Sequence, residues 1–125
     1  MSLQAVCLWT HVAGEILAGA QLLVQGKGPP DFKRNSPLTP MERMYRRGHG
    51  ITLIVIGFMG ILALRDARSS DPAARASLAA TFKAFFLFHT LTAANINLTL
   101  MRDKPAIALL NPHNLWAVGF AVLLR

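Results

Sequence analysis

The sequence predicts an all-α integral membrane protein built as a bundle of four transmembrane helices, and two observations carry that prediction. Hydrophobic residues make up 53% of the chain and charged residues only 15%, against roughly 25% charged in ordinary soluble domains. The charges are also clumped. None lies between Arg47 and Arg65, between Lys83 and Arg102, or between Lys104 and Arg125, and Glu15 is the only one before Lys27. Each gap leaves an apolar run close to or above the ~18 residues that cross a hydrocarbon core of roughly 30 Å as a helix. A soluble four-helix bundle would need a polar stripe along every helix, and "ITLIVIGFMGILAL" has none. At 125 residues the chain is expected to be one domain, 1–125.

The helices are punctuated by capping chemistry. The first is expected over 3–25, stopped by "GKGPP", where Gly26 or Gly28 can cap and Pro29 and Pro30 cannot continue. After the polar loop "DFKRNSPL", Thr39, Pro40 and Glu42 form a capping box with proline at the first helical position. Helix two therefore runs over 40–68, and its opening turns, "MERMYRR", form a collar at the membrane interface. Asp71 and Pro72 repeat the device for helix three, 72–101. At about 45 Å that helix is longer than a bilayer requires. "RDKP" turns the chain into a fourth span, 105–124, which "NPHN" interrupts at Pro112.

Four crossings would put both termini on one side, with Arg65, Arg68, Arg75, Lys83 and Arg125. The opposite side would hold Lys27, Lys33, Arg34, Arg43, Arg46, Arg47, Arg102 and Lys104. The positive-inside rule then turns the termini away from the cytoplasm, matrix or stroma. The net charge of +7 is expected to meet lipid headgroups, not nucleic acid, because the basic residues sit in loops and at helix ends. A single cysteine, Cys7, excludes an internal disulfide. The opening "MSLQAVCLWTHVAGEILAGA" lacks the basic start and clean apolar core of a cleaved signal peptide. "NLT" at 97–99 fits a glycosylation pattern, but no transferase reaches the inside of a span.

Polar residues threaded through the apolar runs are the candidates for function. In helix one, Cys7, His11, Gly14, Glu15, Ala18 and Leu22 share a face of about 100°. A carboxylate near the bilayer centre costs roughly 2–3 kcal/mol or more, so Glu15 is either neutral, paired or bound. In helix two, Gly50, Gly57 and Gly60 fall within about 80° of one another, a surface that lets a second backbone approach. In helix three, His89, Thr92, Asn95 and Thr99 follow spacings of three, three and four, while Thr90 and Asn97 lie on a second face. Two polar faces imply two protein neighbours. In helix four, Asn111, His113 and Asn114 can satisfy the backbone carbonyls freed by Pro112.

The reading favoured by these residues is a small accessory or structural subunit packing within a larger membrane complex, of the respiratory or photosynthetic kind, in an organellar inner membrane or thylakoid. Its partners would be membrane lipids, other membrane subunits or a second copy of itself, and bound lipid is expected. The rival is a compact membrane enzyme or cofactor protein in which Glu15, His11, His89, Asn95 and His113 line one cavity. His11 and His89 come out at similar depth and are the candidates to ligate a b-type haem. No dedicated metal spacing, nucleophile elbow, phosphate loop or triad order is present. A small proton or metabolite carrier working through Glu15 is the third alternative.

Overall fold

The computed structural model describes residues 2–28, 35–101 and 105–124, with the backbone alone at 99, 100, 105 and 107. Every regular element among them is helical: α1 (Leu3–Gln25), α2 (Pro40–Asp66), α3 (Pro72–Leu100), α4 (Pro105–Leu109) and α5 (Pro112–Leu123). Three of these, α1, α2 and α3, are long and apolar enough to cross a membrane. The fourth apolar run is divided. α5 has 12 residues, about 18 Å of helix, so by itself it is too short to span the hydrocarbon core of roughly 30 Å. Lys33, Arg34, Arg102, Lys104 and Arg125, on which the expected sidedness partly rests, lie outside the described residues. The same holds for half of the "DFKRNSPL" loop, most of the "RDKP" turn and the Thr99 side chain.

The caps explain where the helices begin. Thr39 Oγ1 accepts from the Glu42 amide at 3.2 Å, and the Glu42 carboxylate accepts from the Thr39 amide at 2.8 Å, a reciprocal capping box. Asp71 Oδ1 accepts from the Ala73 amide at 3.0 Å. Gly26 ends α1 with a φ of 63°, the left-handed conformation that glycine adopts without penalty. α2 stops at Asp66, short of the expected Arg68, because the amides of Arg68 and Ser69 turn back to the carbonyls of Arg65 and Asp66. The Asp66 carboxylate also accepts from the Arg65 guanidinium at 2.9 Å.

The chain packs as two compact units, Leu8–Leu62 and a second made of Met1–Cys7 with Ala63–Arg125. In the first, α1 and α2 form an antiparallel pair on the glycine face of α2. A Cβ placed on Gly50 would lie 2.7 Å from the Gly19 carbonyl oxygen, and one on Gly19 would lie 2.7 Å from that of Gly50. Gly57 lies against Ile16 and Gly60 against Val12. Two backbones approach this closely only where no side chain intervenes, which is how membrane helices gain dispersion contacts without a hydrophobic drive.

In the second unit α3 packs against α4 and, antiparallel, against α5. Phe120 is fully buried, with ring centroids 5.7 Å from Phe82 and 5.2 Å from Phe85. Next to Phe120, Gly119 leaves room for Cys7, whose Sγ would be 2.9 Å from an added Cβ.

Candidate functional site

The break between α4 and α5 builds the polar centre of the second unit. Pro112 has no N–H and cannot continue α4, so the chain stops and restarts with Asn111 as N-cap. Asn111 Oδ1 accepts from the amides of His113 at 3.0 Å and Asn114 at 3.3 Å. Its Nδ2 donates to the Ala108 carbonyl at 2.7 Å and to Asn97 Oδ1 at 3.2 Å. Asn114 Nδ2 donates to the carbonyls of Ala108 at 2.9 Å and Leu109 at 3.0 Å, and its Oδ1 accepts from Asn97 Nδ2 at 3.2 Å. Asn111 and Asn114 thus collect the carbonyls that the end of α4 leaves behind, and Asn97 ties both of them to α3.

Because His113 belongs to the first turn of α5, the same restart aims its ring at α3. The Nδ1 atoms of His89 and His113 lie 2.8 Å apart. One Nδ1 must carry a hydrogen and the other a lone pair, so as neutral rings the two are opposite tautomers. His89 is fully buried and His113 half-buried. Around them stand Phe88, edge-on to His89 at 5.0 Å and to His113 at 6.1 Å, and Trp116, at 5.0 Å and 5.7 Å. Phe120 stacks on His89 at 5.7 Å with only 6° between the ring planes. An aromatic enclosure of this kind excludes water and strengthens the hydrogen bond inside it. With each Nδ1 committed to the other ring, proton exchange or metal ligation by the pair would have to use Nε2.

His11 and Glu15 are buried in the first unit, where they pass the glycine face of α2: Glu15 Cβ is 3.5 Å from a Cβ placed on Gly57, and His11 Cδ2 is 3.2 Å from one placed on Gly60. Asn95 and Thr90 are exposed on α3, and Thr92 is half-buried. The face of α3 that meets α5 therefore combines His89 with Asn97, which the sequence pattern had put on separate faces. The aromatic enclosure of Phe88, Trp116 and Phe120 was not anticipated. Its signal was available: Phe82, Phe85 and His89 recur at helical spacing, as do His113, Trp116 and Phe120.

No family model, curated protein or solved structure matches the chain.

Proposed function

We propose that this chain is a small integral membrane subunit that packs within a larger assembly, with α4 and α5 together making a fourth crossing. The observation that carries the reading is Asn95. It is exposed on α3 inside the uncharged stretch, as is Thr90, so the outward face of this span carries polar side chains. Polar side chains on the outer face of a span are characteristic of surfaces where transmembrane helices meet. The neighbour is another membrane subunit or a second copy. Extraction in mild detergent followed by native electrophoresis tests this. The wild-type chain should migrate well above its monomer mass, and Asn95→Leu should move it toward the monomer. A wild-type monomer, or an Asn95→Leu chain that stays assembled, overturns it.

A second reading is favoured by the His89–His113 pair: a compact membrane enzyme, cofactor protein or proton carrier centred on the two rings. A buried hydrogen bond between imidazoles can hold one extra proton or orient one ring as a metal or haem ligand. Visible absorption of the purified chain before and after haem addition, and proton flux in vesicles, test this branch. A spectrum or flux abolished by His113→Phe in a folded protein would favour it over the subunit reading.

A further inference from the structure

The opening turns of α2 carry basic residues on two sides, and the two sides differ. Arg46 lines a groove with Glu42, Tyr45 and His49, so a carboxylate already shares its surroundings. Arg43 and Arg47, one turn apart, line another groove of about 500 Å³ together with Pro40, Met44, Gly48 and Ile51. Among the described residues no acidic side chain lines this second groove.

Arg43 is held in place, and Arg47 stands beside it over the same glycine. The Arg43 guanidinium donates to the Leu38 carbonyl at 3.3 Å. Gly26, the cap of α1, lies beneath them: a Cβ there would come within 2.5 Å of Arg43 Cγ and 3.5 Å of Arg47 Nε. Gly48 is the second independent feature. A Cβ placed on it meets nothing within 4 Å, whereas Gly50, Gly57 and Gly60 of the same helix all press on α1. Its missing side chain leaves space in the groove between the arginines and Ile51. The groove thus joins two guanidinium groups to an apolar wall of Met44 and Ile51, both exposed, at the point where the charged start of α2 gives way to the uncharged run.

We propose that this groove is a binding site for an anionic phospholipid. Arg43 and Arg47 hold the phosphodiester through charge-assisted hydrogen bonds, and one acyl chain lies over Gly48 along Met44 and Ile51. The proposal needs α2 to cross a bilayer and nothing from the assembly proposed above, so either can fail alone.

Native mass spectrometry of the full-length chain in detergent, titrated with phosphatidylglycerol and phosphatidylcholine, tests it. Phosphatidylglycerol should be retained in preference to phosphatidylcholine. Arg43→Gln with Arg47→Gln should weaken that retention about tenfold or more, and Gly48→Leu, which fills the groove without touching a charge, should also lower it. Arg46→Gln should leave it within about twofold, and millimolar inorganic phosphate should not displace the lipid. Equal retention of the two lipids overturns the proposal, as does an Arg46→Gln loss equal to that of the double variant, which would mean diffuse charge. Displacement by phosphate would make it a free-anion site. Should the arginine variant fail to fold, unchanged retention in Gly48→Leu overturns the proposal by itself.

Discussion

His89 of α3 and His113 of α5 share a single hydrogen bond, Nδ1 to Nδ1 at 2.8 Å, inside an aromatic enclosure. Replacing one partner leaves the other ring nitrogen in apolar surroundings. His113→Phe is therefore expected to destabilise the protein by about 1–3 kcal/mol. His89→Phe with His113→Phe should cost less than the two single changes added together, because an apolar pair leaves no orphaned nitrogen. Thermal melting in detergent of the two single variants and the double variant closes the cycle. Simple additivity would show that the rings do not interact.

Gly19 and Gly50 approach each other so closely that neither accepts a side chain. Gly50→Leu should destabilise the α1–α2 pair by roughly 1–3 kcal/mol or more. Gly48→Ala, two positions earlier and open to its surroundings, should be neutral or stabilise by up to about 1 kcal/mol through helix propensity. Equal effects on the melting temperature would contradict the crossing geometry.

Asn97→Leu removes bonds to Asn111 and Asn114, whereas Asn95→Leu touches neither. The first should lower the stability of the isolated chain by about 1–2 kcal/mol. The second should lower the melting temperature less than the first and act chiefly on assembly. A reversal of these two roles, read by melting and native electrophoresis side by side, would refute the assignment of inner and outer faces.

If α4 and α5 together make the fourth crossing proposed above, both termini lie on one side of the membrane. Cysteines introduced at each end, in a Cys7→Ser background, should react together with a membrane-impermeant reagent applied to sealed vesicles, or both be protected. Labelling of one end alone would mean that α4 and α5 enter the bilayer and return without crossing.

Local chemistry was the most legible part of the sequence. The capping box of Thr39 and Glu42 and the restart at Asn111 and Pro112 depend on residues three or four positions apart, and helical geometry alone brings them together. The face of Gly50, Gly57 and Gly60 followed from periodicity. Gly19 did not, because it sits at the edge of its helix face and matters only where α2 crosses it. The pairing of His89 with His113 was also hidden. Centring each apolar run as one straight helix puts His113 near the midplane and His89 about one turn away from that depth, but the fourth run is not straight. A fixed rise per residue fails across Leu110 and Asn111, so the sequence groups His113 with His89 only as two of five side chains lining one cavity and does not pair their rings. Likewise the regular spacing of His89, Thr92, Asn95 and Thr99 looked like one seam, although Asn95 turns outward and Asn97 supplies the contact.

Asn111 uses both faces of its amide at once, the oxygen toward the amides of His113 and Asn114 and the nitrogen toward Ala108 and Asn97. At most helix starts Asp, Ser, Thr and Asn are near-equivalents, since the cap needs only an acceptor. Here the acceptor-only Asp would confront a carbonyl with a carboxylate, and Ser or Thr has too few donors and too short a reach. Variation at this site should therefore be far narrower than at Asp71, an exposed cap of the ordinary kind, and a saturation library scored for folded protein should recover asparagine almost alone at 111 while accepting the whole capping set at 71.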